Sequence, residues 1–247
     1  MSANDRIAII GTADRQNELV ATEFEKMKVT ALCVIQELGY TPKDVVLVSG
    51  GAPWADHVAV SLFLDGKVSG LRLHLPGKLE TGPNGPHMTP LSDTTARDCV
   101  TFTSYHHRFK EVTGLDGLAQ IQQAIDQGAS VDMYPGYFKR NRAVAADCTA
   151  LVALHTKRKH PSQQSSGGTV YTFKRARVPK LYIPFQDVRR KALDFDKLGY
   201  SDFEAIGIQN VFKRFKKHQG PLDAFFKRKA EDQADTVSNK RHKALST

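Results

Sequence analysis

Three short apolar segments, separated by two patterns with helical periodicity, constrain the fold of this chain most strongly. The first is Arg6 to Thr12, the second Asp44 to Ser49 and the third Leu71 to Leu75. Strands that are buried on both faces of a parallel sheet are near-continuous apolar runs of this kind. Parallel neighbours need long crossover connections, which residues 16–39 and 54–65 supply as helices. The pattern predicts an α/β fold with a Rossmann-like parallel sheet and helices on both faces.

The next part of the chain interrupts this alternation before it resumes. Gly77 to Asp93 is rich in Gly, Pro, Thr and Ser, and this composition predicts a long loop that serves as a lid or a specificity insert. The later elements predicted from the sequence are helices at 115–127 and 137–146, a loop that opens a helix at 167–177, and strands at 150–155 and 180–184. We therefore expect a domain at 1–186 with an insert at about 77–113, and a helical or linker extension at 187–217. Residues 218–247 form the expected tail.

The positive charge of the chain is concentrated in this C-terminal part. The formal net charge is +9, and ten Lys or Arg against four Asp or Glu in residues 209–247 supply six of those charges. Apolar density falls in the tail, so we expect disorder there. A basic tail on a nearly balanced domain indicates an acidic partner or a nuclear-import receptor. No apolar run approaches the ~18 residues that a membrane span needs, so no membrane association is predicted.

Four glycine- or arginine-containing segments lie where predicted strands or loops lead into helices. In an open parallel sheet, ligands bind at the carboxyl ends of the strands, where the strand order reverses. Glycines there allow close approach of a phosphate, helix N-termini supply N–H donors, and arginine supplies a forked positive charge. The expected ligand is a nucleotide or nucleotide derivative, with no cofactor and no metal. The residues predicted to bind it are Gly11, Thr12, Arg15, Gly50, Gly51, Arg140, Asn141, Arg142, Gly167, Gly168 and Thr169.

These segments, in this order, resemble the SLOG superfamily, which includes the DprA DNA-processing proteins, the LOG phosphoribohydrolases and the YspA-like proteins. Ser49 to Asp56 looks like the small-residue turn followed by an acid. Tyr137 to Arg142 looks like the aromatic-then-Arg-Asn segment, and Ser165 to Thr169 is similar to the second phosphate loop. The resemblance covers about 6–184. It implies a Rossmann-like fold that binds a nucleotide, a nucleotide derivative or single-stranded DNA.

The catalytic residue implied by this resemblance is not where LOG enzymes have it. In LOG enzymes, a glutamate that is used in cleaving the N-glycosidic bond comes directly after the phosphate loop. In this sequence, Val170 and Tyr171 follow Thr169 at that place. The possible acids are Asp56, Asp14 and Asp147. Asp56 is the preferred candidate, either catalytic or holding a ribose hydroxyl, and its alternative role is a first-turn carboxylate that serves the helix dipole. Trp54 is either a base-stacking residue or part of the core.

The tail contains a match to the PCNA-interacting peptide, which docks on the replication sliding clamp. Residues 219–226 fit the pattern Gln-x-x-aliphatic-x-x-aromatic-aromatic. One helical turn places the three apolar side chains on one side as a plug, while the glutamine amide binds in a separate pocket. A chance match in a chain of this size should occur about once in a hundred or less, from average residue usage. The residues predicted to bind PCNA are Gln219, Leu222, Phe225 and Phe226.

Two further features of this region concern packing and localisation. Gln209 to Phe215 matches part of the clamp motif, and the alternative role of this segment is packing against the domain. Two basic clusters separated by a ten-residue spacer resemble a bipartite nuclear localisation signal. The residues assigned to it are Lys227, Arg228, Lys229, Lys240, Arg241 and Lys243.

The sequence thus predicts a nuclear, PCNA-bound protein with a nucleotide-binding domain that acts at sites of DNA replication or repair, its contact with DNA being indirect through the clamp. Hydrolysis of an N-glycosidic bond is the candidate reaction. The alternatives are a non-catalytic module that holds single-stranded DNA or a nucleotide, and a scaffold tethered to PCNA.

Overall fold

A six-stranded parallel sheet forms the centre of the domain. In the computed structural model of the protein, residues 5–14, 19–83, 85–156, 164 and 166–184 are described. The strands in chain order are β1 (Arg6–Gly11), β2 (Val46–Ser49), β3 (Gly70–Leu75), β4 (Lys78–Gly82), β5 (Gly85–Thr89), β6 (Ser130–Met133), β7 (Ala150–His155) and β8 (Lys180–Pro184). The large sheet has the order β6-β3-β2-β1-β7-β8, and all its neighbours are parallel.

Helices cover both faces of this sheet, which confirms the predicted Rossmann-like α/β fold. They are α1 (Ala21–Glu37), α2 (His57–Leu64), α3 (Ala96–Thr113), α4 (Gly117–Asp126), α5 (Tyr137–Asp147) and α6 (Gly168–Arg175). On one face, Val144 of α5 and Phe173 of α6 pack against Ala8, Ile10 and Leu151 of the sheet. The other face carries α1 to α4. None of the helices within the described ranges combines the length and apolar character that a membrane crossing requires.

The strand order reverses beside β1. From β1 the chain proceeds outward through β2 and β3 on one side, and later returns to place β7 and then β8 on the other side. The register pairs Ile9 of β1 with Val152 of β7, so Gly11 at the end of β1 lies opposite Leu154. The carboxyl ends of β1 and β7 therefore diverge into separate loops at the point where open α/β sheets hold their ligands.

The predicted long loop at 77–93 is wrong. Its residues form the antiparallel hairpin of β4 and β5, which packs on α3. Polar residues dominate both strands, so no apolar alternation marks them in the sequence. Strand β6 was also missed because it is a largely exposed edge strand with no apolar run.

Helix α3 was missed because a buried histidine interrupts its apolar stripe. Cys99, Phe102, His106 and Phe109 are its buried residues, and they recur at helical spacing only when His106 is counted among them. His106 donates from Nε2 to the carbonyl of Gly51 at 2.9 Å. Burial, together with the adjacent His57, holds the pKa of His106 well below its usual value, so the ring is neutral and packs as a core residue.

Candidate functional site

A cleft of about 1390 Å³ opens at the carboxyl edge of the sheet, where the strand order reverses. Its walls come from the turn after β1, from the first turns of α5 and from the loop that leads into α6. We call it the switch-point cleft. Nine of the twelve residues predicted for the ligand or for catalysis line it: Gly11, Thr12, Asp56, Arg140, Asn141, Arg142, Gly167, Gly168 and Thr169.

Gly11 allows β1 to pass close to β7 at the base of the cleft. A Cβ atom at this position would lie 1.7 Å from the carbonyl oxygen of Leu154 and 2.6 Å from the Cβ of Ala55. The Gly11 N–H donates to Oδ1 of Asp56 at 3.1 Å. Glycine is thus required here for close backbone packing, and its N–H is already bonded within the protein.

A buried ion pair holds the cleft together. Nη1 of Arg140 donates to Oδ2 of Asp56 at 3.0 Å, and both side chains are 7% exposed. The carboxylate also accepts backbone N–H donors from Gly11 and Ala52. Burial raises the pKa of the Asp56 carboxyl, and the Arg140 charge with these hydrogen bonds opposes that rise. Asp56 therefore connects three segments of the chain and has both oxygens engaged.

Gly50 and Gly51 do not belong to the cleft lining, and the structure gives them other roles. A Cβ atom at Gly50 would lie 1.5 Å from Nη1 of Arg140, so this glycine makes room for the guanidinium. Gly51 adopts a positive φ of 68°. Its N–H donates to the hydroxyl of Ser49 at 3.0 Å, so it is not open to a phosphate. The expectation that Gly51 binds phosphate is therefore corrected.

Arg140 retains unused donor capacity. A guanidinium carries five N–H donors, and in the described part of the chain one side-chain hydrogen bond, to Asp56, is formed. Its Nε is buried without a hydrogen-bond partner there. An unsatisfied buried donor carries a substantial desolvation cost. Because Arg140 lines the cleft, the arrangement favours an anionic or oxygen-rich ligand beside it.

The N-terminus of α6 lies against Asn141 in the wall of the cleft. Gly167 and Gly168 are exposed, and a Cβ atom at Gly168 would lie 3.4 Å from Nδ2 of Asn141. Helix N-termini present free N–H groups and partial positive charge. The hydroxyl of Thr169, predicted to bind the ligand, donates to the carbonyl of Gly11 at 2.5 Å. Thr169 thus ties α6 to the end of β1.

Positive charge is concentrated in the cleft although the domain as a whole is nearly balanced. Among the described residues, the cleft is lined by five cations and two carboxylates, Asp14 and Asp56. The near-balance of the domain as a whole therefore does not extend to the described lining of this cleft. The cationic residues are Arg140 and Arg142 of α5 with Lys174, Arg175 and Arg177 of the α6 region.

Aromatic side chains line the same walls and were not predicted as site residues. They are Tyr105, Tyr137, Phe138 and Tyr171. Phe138 and Arg142 are one helical turn apart on α5, as are Tyr171 and Arg175 on α6, and this repeated spacing is the sequence pattern that could have identified them. Trp54, the predicted base-stacking alternative, is buried against Phe24 and Phe109 and belongs to the core.

Among the described residues, no group of three or more His, Cys, Asp or Glu is arranged to hold a metal ion.

Several predicted residues lie outside the described part of the chain. The predicted residues outside the described ranges are Arg15, Gln219, Leu222, Phe225, Phe226, Lys227, Arg228, Lys229, Lys240, Arg241 and Lys243.

Comparison with known proteins identifies a relative that is matched over most of its length. The chain is 31% identical over 174 residues to "Uncharacterized protein R261" of Acanthamoeba polyphaga mimivirus, an alignment that covers 68% of this chain and 88% of the relative. No protein-family model matches the chain. Among solved structures, DNA processing protein A (DprA) of Streptococcus pneumoniae matches with 17% identity and a TM-score of 0.40. That match covers 73% of this chain, which spans half the length of the DprA chain.

We predict that Arg140→Met lowers the free energy of unfolding by about 3–5 kcal/mol, because it leaves the buried Asp56 carboxylate without its charge partner. Urea unfolding followed by circular dichroism measures the change. Arg142→Met, the same replacement at an exposed position two residues along α5, should cost less than about 0.5 kcal/mol. The double variant Asp56→Asn/Arg140→Met should recover part of the loss. Equal costs for the two single variants would contradict the structural role of the pair.

Proposed function

This chain belongs to the same family as the uncharacterized mimivirus protein R261, and we propose that its Rossmann-like domain binds a nucleotide-type ligand in the switch-point cleft. The phosphate would lie between the N-terminus of α6 and the arginines of α5. The sugar and base would extend along the cleft from there.

The observation that carries this proposal is the state of Arg140. The guanidinium is buried, carries a buried Nε without a partner in the described part of the chain, and lines a cleft with room for a nucleotide. A phosphate oxygen in the cleft would be a strong acceptor for the remaining guanidinium donors of Arg140. Asn141, which is 5% exposed in the same wall, would add an amide donor.

The start of α6 supplies the second element of a phosphate site. Backbone N–H groups at Gly168 and Thr169 are at the first positions of the helix, where no intrahelical acceptor is available. The helix dipole adds partial positive charge at the same place. Arg142 is exposed at the rim and would neutralise further phosphate charge.

We infer binding rather than hydrolysis as the primary activity. Asp56 lines the cleft, which favours it as an acid for N-glycosidic cleavage, yet both its oxygens accept hydrogen bonds from the protein. Asp14, the other carboxylate in the described lining of the cleft, accepts a hydrogen bond from the Leu19 N–H. A general base needs a carboxylate oxygen within reach of the reacting proton. Single-stranded nucleic acid is the second candidate ligand, because cations and aromatic rings occur together in the cleft.

We predict that Gly168→Asp weakens nucleotide binding by about tenfold or more, since one unfavourable charge interaction of ~1.4 kcal/mol has that effect. The matched variant Gly168→Asn adds the same bulk without charge and should bind more tightly than the Asp variant. Gly168 has no positive φ and leaves ordinary contact distance for a Cβ atom, so both variants should fold. Calorimetric titration with AMP, GMP, CMP and UMP measures the affinities.

Two comparisons make this experiment selective. Arg142→Glu lies in the cleft, whereas Lys139→Glu makes the same charge change on an exposed part of α5 outside the lining. Only the former should weaken binding strongly if the effect is local. Equal affinities for Gly168→Asp and Gly168→Asn would show that the α6 terminus does not hold the phosphate. If the protein binds a short single-stranded oligonucleotide but none of the monophosphates, the strand-binding alternative is favoured. If it binds neither kind of ligand, the remaining alternative is a scaffold tethered to PCNA.

We further propose that the tail recruits this domain to PCNA through residues 219–226. The support is the sequence pattern: a glutamine, an aliphatic residue and two adjacent aromatic residues at the required spacing. Pro221 reduces the conformational freedom that the free peptide would lose on binding. The basic residues that follow would be attracted to an acidic surface of the clamp. In this proposal the domain acts at sites of DNA synthesis or repair and reaches DNA through the clamp.

A peptide spanning 218–230 is expected to bind PCNA with micromolar or tighter affinity in calorimetry. The double variant Phe225→Ala/Phe226→Ala should lose binding, because truncation of buried aromatic anchors costs several kcal/mol at an interface hot spot. Asp223→Ala changes an unconstrained position of the pattern and should retain binding. An unchanged affinity in the double variant would refute the clamp assignment.

Nuclear import through the two basic clusters completes this proposal. Replacing all six assigned Lys and Arg residues by Gln keeps the chain length while removing the charge that an import receptor would recognise. A fluorescent fusion too large to diffuse through nuclear pores should then lose its nuclear enrichment, and deletion of 227–247 should have the same effect. Nuclear retention of both variants would contradict the signal.

A further inference from the structure

Phe138 is an exposed aromatic ring at the wall of the switch-point cleft. It is 70% exposed, the highest value among the large apolar side chains of the described residues. A single exposed apolar residue needs no explanation by itself. Phe138 differs from Val100, which is 69% exposed on α3, because it lines the cleft and contacts a second aromatic ring there.

The second ring is Tyr171 of α6. The ring centroids of Phe138 and Tyr171 are 5.3 Å apart at an interplanar angle of 80°, an edge-to-face contact. This contact restricts Phe138 without covering it, because most of the side chain remains exposed. A ring that is held in place and still open is suited to stack on a flat aromatic ligand, since little conformational freedom is lost on binding.

Positive charge flanks this aromatic pair. The guanidinium of Arg175 lies over the ring of Tyr171, with its Cζ 6.0 Å from the ring centroid. Arg142 is exposed one turn further along α5 from Phe138. An uncharged aromatic compound would gain only cation–π attraction from these cations, whereas one with phosphate groups would also be attracted by its charge. The surroundings of Phe138 therefore favour an aromatic ligand that is also an anion.

The spacing between Phe138 and the phosphate site matches a nucleotide. Asn141 lies against Gly168, and Phe138 lies against Tyr171; in each helix the two contacts are three residues apart. Three residues of helix correspond to a rise of about 4.5 Å. Along the helix axes, the aromatic pair is thus displaced from the proposed phosphate position, as the base of a nucleotide is displaced from its phosphate by the ribose. A base joined through ribose to a phosphate at the α6 terminus would reach the ring.

We propose that Phe138 is the platform on which the base of the ligand stacks, so that the cleft selects nucleoside phosphates over sugar phosphates that lack a base. This inference rests on the proposed phosphate site and adds the group that recognises the other end of the ligand. Tyr171 positions the platform from α6.

The test compares binding of a nucleoside monophosphate with binding of ribose 5-phosphate. Calorimetry uses whichever of AMP, GMP, CMP and UMP binds the wild-type chain most tightly. Phe138→Ala should weaken its binding by about tenfold, within the range found for loss of one base–aromatic stack, and leave ribose 5-phosphate unchanged. Phe138→Trp should retain or improve nucleotide binding. Val100→Ala removes an equally exposed apolar side chain outside the cleft and should change neither affinity.

Each other outcome has a distinct meaning. An equal loss for the nucleotide and for ribose 5-phosphate in Phe138→Ala would show that Phe138 supports the phosphate site instead of stacking on a base. Unchanged nucleotide affinity would overturn the platform while leaving the proposed function intact. If the wild-type chain binds neither compound, the proposed function fails and the platform fails with it. Because Phe138 is exposed, the variants should fold, and thermal unfolding checks this.

Discussion

The carboxylate of Asp56 joins segments of the chain that are remote in sequence, and the cleft depends on that junction. It accepts the N–H of Gly11 at the end of β1 and the guanidinium of Arg140 from α5. Removing two charges from water is costly unless each is paired and further hydrogen-bonded, and the carboxylate meets this condition. Gly50 provides the space that the guanidinium occupies. The pair therefore dictates where the β1 turn and α5 meet.

The two members of this pair differ in how many of their hydrogen-bonding sites are already used. Both oxygens of the carboxylate accept hydrogen bonds, whereas the guanidinium keeps unused donors and lines the same cleft as the exposed N-terminus of α6. A site with satisfied acceptors and unsatisfied donors is suited to hold an anion, and poorly suited to remove a proton. This asymmetry is the physical reason for proposing a binding function.

The buried parallel strands could be predicted from apolar runs, because a strand that is covered on both faces has a continuous apolar sequence. Helical periodicity between these runs predicted the crossover helices. Strand β7 matched at both ends. Three elements lack such a pattern. A neutral buried histidine interrupts the apolar stripe of α3, polar residues dominate the β4–β5 hairpin, and β6 is an exposed edge strand. Nine of twelve candidate residues reached the cleft because strand ends converge there. Which of their polar atoms remain open depends on tertiary contacts, such as Thr169 with Gly11, that no local pattern encodes.

Helix α5 is anchored at both of its ends. Arg140 is tied to Asp56 near its start, and at its last residue Asp147 bonds Arg72 at 2.6 Å, His74 at 2.9 Å and Arg6 at 3.2 Å. A helix restrained in this way cannot tilt or slide without breaking the buried Asp56–Arg140 pair at one end or the partly exposed contacts of Asp147 at the other. The donors it carries are thus already in position when a ligand arrives. Ligand binding would then require no displacement of α5 itself.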